Sequence, residues 1–304
     1  MLLARLTRRS TIFALLLTVV LLVGVVRAAS SFDLAEVATT LNRANVAWLL
    51  AALAASWATF PLRGLRWRMI LSASGLNISR RAATEILTLS FWVNCVLPAK
   101  MGDVYRGWLL KHNGATSFGN AVGTVIAERL VDLATVALLG AASTFVAFGG
   151  KLPPTALALT AIALGVAAAA TLLLLVARGF AAALIYALPI PDAIKNGFTN
   201  AAASLRAGSG GRVVRTALPF SLAIWIGESL RLAAVAMALG LFVVNPAAGQ
   251  IGIASTIFVA LVSAVLTVVP FTPAGIGIVE AGMVGILVAL FGFTPESAIA
   301  LALL

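Results

Sequence analysis

The sequence predicts an all-α polytopic membrane protein: about six full spans plus two broken, re-entrant helical hairpins in an inverted-repeat arrangement, with the N-terminus cytoplasmic. Three observations carry this prediction. Of 304 residues, 62% are hydrophobic and 10% charged, where a soluble domain averages roughly 45–50% and 25%. Apolar runs long enough to cross a bilayer recur from end to end. Two of those regions are interrupted by the same short pattern, Pro-Ala-x-x-Gly. The composition excludes disorder, because this much apolar surface cannot stay solvated. Twenty-six Gly without a triplet period and one Cys exclude a collagen or a disulfide scaffold.

The first segment, 11–29, follows Arg5, Arg8 and Arg9 and reads as an uncleaved span rather than a signal peptide, since more spans follow. The second, 46–62, ends at Arg63, Arg66 and Arg68, which with Trp67 read as an interfacial anchor. The region 83–112 is the first broken hairpin. Its apolar piece stops at Pro98, and a polar tip precedes a second piece ending at His112. Segments 118–148 and 155–177 follow. The stretch 179–212, with Pro189, Pro191, Lys195 and a Gly-Ser-Gly-Gly run, reads as an interfacial amphipathic stretch and cytoplasmic loop. Segment 213–243 precedes the second broken hairpin, 250–293, interrupted at Pro270 to Gly277. Pro295 opens a last helix that stops unfinished at Leu304, as a truncated gene product would. The whole, 1–304, reads as a single integral membrane domain.

The net charge of +11 sits mostly at the ends of apolar runs. There it sets orientation and meets anionic head groups. Arg5, Arg8 and Arg9, the five Arg between 63 and 81, Lys111 and the basic residues from Arg178 to Arg215 all fall on one face, the cytoplasmic one. The 30–45 loop carries a net −1 and falls outside. The chain is therefore expected as a multi-pass protein of the cytoplasmic (inner) membrane. No basic and aromatic interleaving on a soluble element points to nucleic acid.

Pro98-Ala-Lys-Met-Gly102 matches Pro273-Ala-Gly-Ile-Gly277, and Gly107 and Gly282 each lie nine residues after the Pro. One hairpin opens from inside and the other from outside. In an inverted repeat, interrupted helices of this kind meet near the midplane and form the substrate site. A half-helix starting near Gly102 or Gly277 aims its amides and positive dipole end inward, which suits an anion such as phosphate. Two ordinary interhelical loops are the alternative.

Ionisable groups within spans default to functional hypotheses. Glu128 and Asp132 share a helix face. Arg129 with Asp132, Glu228 with Arg231, and Asp103 with Arg106 are all i,i+3. Five acids (Asp103, Glu128, Asp132, Glu228, Glu280) stand against three bases (Arg106, Arg129, Arg231). The excess implies a protonated acid or an unseen cation. A network that only orders the helices and a polar cavity for a charged head group both remain open.

No enzyme chemistry is expected. His112 has no second His or Cys partner, so no metal site is expected, and no phosphate loop ending in Lys-Ser or Lys-Thr is present. No cofactor is implied.

Arg66-Trp-Arg68, Asn94-x3-Pro98-x3-Gly102-Asp-x-x-Arg106, Glu128-Arg-x-x-Asp132 and Pro273-Ala-Gly-Ile-Gly277-x-x-Glu280 together resemble the lysylphosphatidylglycerol synthase transmembrane-region family of flippase-like integral membrane proteins. The resemblance covers nearly the whole chain. It implies movement of lipids between leaflets. It also implies site roles for Asn94, Pro98, Gly102, Asp103 and Arg106, for Glu128, Arg129 and Asp132, and for Pro273, Gly275, Gly277 and Glu280. Two departures matter: the aminoacyltransferase domain of the best-known members is not expected here, so lipid lysinylation is not expected, and the last helix stops at Ala300-Leu-Ala-Leu-Leu304 where the family usually continues with polar residues; Ala274, where the family often has Gly, is a mild change.

The leading expectation is a stand-alone lipid translocase. Its substrate would be a phospholipid or polyprenyl-phosphate derivative whose head group contacts Arg106, Arg129 and Arg231. Glu128, Asp132, Glu228 and Glu280 would balance charge or carry a proton. The partners are membrane lipids, with a lipid- or glycan-biosynthesis enzyme as a second candidate. The rivals are an ion-coupled carrier of a small soluble anion and a non-transporting subunit that docks such an enzyme. Gly119 with Gly123, and Gly275 through Gly285, permit close helix packing within a chain or in a homo-oligomer.

Overall fold

The computed structural model describes residues 32–97, 100–113, 116–176, 191–267 and 275–304. Segment 11–29, Pro98, residues 179–190 and the 270–274 interruption with Pro273 lie outside them. The described residues form an all-α membrane protein. In chain order the helices are α1 (Leu34–Asn42), α2 (Val46–Ala73), α3 (Arg80–Val96), α4 (Met101–His112), α5 (Phe118–Ala147), α6 (Pro154–Val176), α7 (Asp192–Gly208), α8 (Gly211–Ala238), α9 (Ile253–Leu266), α10 (Ile278–Phe291) and α11 (Pro295–Leu303).

Three of them, α2, α5 and α8, are long and apolar enough to cross a membrane, with 28, 30 and 28 residues. At about 1.5 Å per residue they exceed the ~30 Å hydrocarbon core. The second helices of the broken regions are short: α4 has 12 residues and α10 has 14. They rise only about 18–21 Å, so neither crosses a bilayer alone.

Local chemistry sets the helix starts. Asn45, Ser79, Ser117 and Thr294 each accept a hydrogen bond from a first-turn amide, satisfying donors that the helix leaves unpaired. The sequence reading ended the second segment at Arg63, whereas α2 continues to Ala73 and carries the arginine cluster inside the helix. The 30–45 loop holds a helix that the reading missed. Asp33 caps α1 through Ala35 and Glu36, and Asp33-x-x-Glu36 is the sequence signal for it.

Helix α5 is the central element, packed against α2, α4, α6, α7, α8 and α9. Its seam with α7 is glycine-made. A Cβ on Gly119 or Gly123 would collide with the carbonyl oxygens of Gly197 and Ala201. Small residues thus let two backbones touch within one chain. Apolar cores lie on either side of the centre. Trp67, Leu71, Leu87 and Leu110 pack between α2, α3 and α4. Phe258, Leu287 and Leu301 join α9, α10 and α11.

The two broken regions share a local turn. Lys100 and Gly275 are third in their Pro-Ala-x-x-Gly strings, and both adopt positive φ, 52° and 82°. Gly meets that geometry freely, while a lysine there carries about 1–2 kcal/mol of strain. In the first hairpin Gly102 is clamped by α3. Its amide donates to Asn94 Oδ1 at 2.7 Å, and its carbonyl accepts from Ser90 Oγ at 2.7 Å. A Cβ at Gly102 would overlap the Ser90 carbonyl and the Asn94 side chain.

Candidate functional site

The charged residues of the three long helices and α4 meet in one place. Arg66 of α2 is fully buried. Its Nη1 donates to Asp132 Oδ1 and, at 2.8 Å, to Ser221 Oγ. Its Nη2 donates to Glu128 Oε1 at 2.7 Å and to Asp132 Oδ2 at 3.0 Å. This planar fork suits two carboxylates at once, which a lysine could not match. Its place in the network corrects the expectation of an interfacial anchor for Arg66, whereas Arg68 donates Nε to the Ile78 carbonyl at 2.9 Å. Glu128 and Asp132 lie one turn apart on α5 and are themselves buried. Left without a cation, they would carry the full cost of charge in a low-dielectric interior.

Arg106 of α4, 2% exposed, places Nη2 2.7 Å from Glu128 Oε2, close enough for ion pairing though poorly aligned as a hydrogen bond. Its guanidinium lies 4.7 Å over the Trp67 ring, whose Nε1 donates to Thr124 Oγ1 at 3.3 Å. Stacking on an aromatic face replaces part of the hydration a buried guanidinium loses. The Nε atoms of Arg66, Arg106 and Arg129 are buried with no partner among the described residues.

Arg129 is different in kind. Its Nη2 donates to Asp103 Oδ1 at 3.0 Å, Nη1 stands 3.8 Å from Asp132 Oδ2, and 41% of its side chain is exposed. Lys100 stands at the turn before α4, three residues ahead of Asp103. The ion pairs of the inner cluster set three guanidiniums (Arg66, Arg106, Arg129) against three carboxylates (Asp103, Glu128, Asp132), with Lys100 at the adjoining turn.

A second group lies between α2 and α8. Arg63 donates to Glu228 Oε1 at 2.8 Å, and Arg231 Nε donates to Glu228 Oε2 at 3.2 Å. Trp225 Nε1 donates to Asp132 Oδ1 at 3.1 Å, and Arg63 sits 5.8 Å from the Trp225 ring centre.

Of the residues singled out from sequence, Asp103, Arg106, Glu128, Arg129, Asp132, Glu228 and Arg231 thus come together. The i,i+3 pairing holds for Glu228 with Arg231 and, loosely, for Arg129 with Asp132. Arg106 turns instead to Glu128. Asn94 and Gly102 bond each other at the first turn. Gly275, Gly277 and Glu280 lie apart at the second turn, where Glu280 Oε2 accepts from the Gly277 amide at 2.6 Å. That carboxylate occupies the N-terminus of α10, the place where an anion would otherwise bind. Pro98 and Pro273 lie outside the described residues. Sequence reasoning read Arg63, Arg66 and Trp67 as an interfacial anchor and Lys100 only as part of the polar tip, and it missed Ser221 and Trp225. The surplus of acids within spans was the available signal, since two of those acids pair with Arg66 and a third with Arg63. Among the described residues no group of three His, Cys, Asp or Glu gathers as a metal site.

The profile of the lysylphosphatidylglycerol synthase TM region family matches residues 11–304. The chain is 28% identical to the glycosyltransferase AglD of Haloferax volcanii over 99% of its own length and 52% of that protein's. It is 30% identical to a UPF0104 membrane protein of Methanocaldococcus jannaschii over 64% of this chain and 79% of the relative. The chain thus spans about half the length of the glycosyltransferase.

Proposed function

The chain belongs to the lysylphosphatidylglycerol synthase TM region family, and we propose that it is a translocase of the cytoplasmic membrane for a lipid with an anionic head group. The substrate class is a phospholipid or polyprenyl-phosphate derivative. The observation that carries this reading is the inner cluster. Three guanidiniums meet three carboxylates beside Lys100, and the most exposed of those guanidiniums, Arg129, is tied to that buried network. A charge of this kind within an apolar helix is expensive. Holding it half-open is useful where an anionic group visits. A phosphodiester would bond the Arg129 guanidinium fork through two oxygens.

In this reading Arg129 and Lys100 receive the phosphate. Arg106 and Arg66 hold Glu128 and Asp132 ionised, so the carboxylates do not follow the head group. The tails remain in the bilayer. No bond is made or broken, so the chain acts as a carrier and not as an enzyme, and lipids are its partners.

Vesicles containing the purified protein and fluorescent phosphatidylglycerol or polyprenyl-phosphate analogues test the proposal. Leaflet exposure is read by external quenching. Fast equilibration in the wild type, slowed about tenfold or more in Arg129→Gln, is expected. Equal rates in empty vesicles, or an unaffected Arg129→Gln, would sink it.

A second reading is favoured by the match to half of a glycosyltransferase: a membrane subunit that seats a glycan-assembly enzyme. It predicts co-purification with such an enzyme from the native membrane and no leaflet exchange by the chain alone.

A further inference from the structure

The outer group has the makings of an anion seat of its own. Arg63 and Arg231 share the single carboxylate of Glu228, so two guanidiniums leave one positive charge uncompensated. Arg231 uses only Nε on Glu228, leaving its Nη pair without a partner among the described residues, with 38% of the side chain exposed. No ion pair joins this group to the inner cluster among the described residues. Trp225 joins them, donating Nε1 to Asp132 on one side and lying against Arg63 on the other.

A bridging carboxylate would fill the gap between the clusters and pin both. An indole leaves the outer group its surplus charge, and its face still attracts a cation. Trp225, Glu228 and Arg231 recur at every third residue of α8, so one stripe of that helix carries the partition and the seat.

We propose that Arg63, Glu228 and Arg231 form a second seat for a lipid phosphodiester, distinct from the one at Arg129 and Lys100, with Trp225 as the positioning residue between them. The identity of the natural ligand rests on the translocase reading; the existence of the seat does not.

The test is native mass spectrometry of the full chain with phosphatidylglycerol, using phosphatidylcholine to count non-specific annular lipid. The wild type is expected to retain two phosphatidylglycerols above that background. Arg129→Gln and Arg231→Gln should each retain one, and Arg231→Lys two. Glu228→Gln, which adds to the surplus charge, should hold its lipid to higher salt than the wild type; a merely structural carboxylate predicts the reverse. Trp225→Phe should keep both lipids and slow leaflet exchange. Retention of a single lipid by the wild type, or an unchanged count in Arg231→Gln, overturns the seat. Two retained lipids with no leaflet exchange would defeat the translocase and leave the seat standing. Rapid exchange with an unchanged count in Arg231→Gln would do the opposite.

Discussion

At Arg66 two carboxylates and a serine hydroxyl converge on one guanidinium, which makes this side chain hard to remove. Arg66→Met leaves Glu128 and Asp132 buried beside a hydrocarbon chain, and breaking a buried pair from one side costs about 3–5 kcal/mol. Thermal unfolding of the purified protein in detergent should show that loss, with Arg66→Lys intermediate because an ammonium cannot span both acids. An unchanged melting temperature in Arg66→Met would refute the network as drawn. Lys100 works the other way. Its left-handed backbone suits glycine, so Lys100→Gly should stabilise the fold by about 1 kcal/mol while weakening retention of an anionic lipid. Much of this cluster was legible in the sequence, since Glu128, Asp132, Asp103 and Arg106 stand out as charges in apolar runs. Arg66 was not, because it sits among arginines at the apparent end of a span. Only the distance from α2 to α5, a tertiary fact, shows that it faces inward.

Between helices the contrast is in how each seam is held. α2 and α8 are cross-linked by charge and hydroxyl: Arg63 to Glu228 and Arg66 to Ser221. α5 and α7 meet through bare backbone at Gly119 and Gly123. Gly123→Leu should therefore push α7 off α5. Faster tryptic cleavage at Arg206, which lies in the last turn of α7, is the expected readout, and wild-type cleavage would count against the seam. The breaks in the two hairpins were visible as Pro-Ala-x-x-Gly, and the glycine pair on α5 was visible as a close-packing pattern. The partner of that pair was not, because spacing reports which face is small and leaves open what lies against it. The role of Glu280 was hidden for a related reason. A carboxylate three residues after a turn glycine caps its own helix or reaches across to another, and both have the same sequence.

Taken whole, the molecule puts its charge network on three long helices and one short one, while α9, α10 and α11 form an apolar block beside it. The distribution of loop positives argues that Asn77 and Asn245 lie on opposite faces of the membrane. Both are exposed. In a Cys95→Ser background, a cysteine at 77 should react with an impermeant maleimide only from the cytoplasmic side and one at 245 only from the other; labelling of both from one side would break the proposed orientation. The all-α membrane class follows from composition alone, whereas the pairing of helices needs coordinates, because uniformly apolar segments such as α6 carry no facial code. The fixed guanidiniums of the inner cluster have an electrical consequence. In the proposed translocase these guanidiniums stay with the protein while the lipid phosphate passes, so each turnover would carry one negative charge across the field. At about 2.3 kcal/mol per charge per 100 mV, a potential negative inside drives an anionic lipid outward. Potassium diffusion potentials of opposite sign, imposed on the same vesicles, should speed one direction of transfer and retard the other, turning the lipid flux into a current that an electrode can follow.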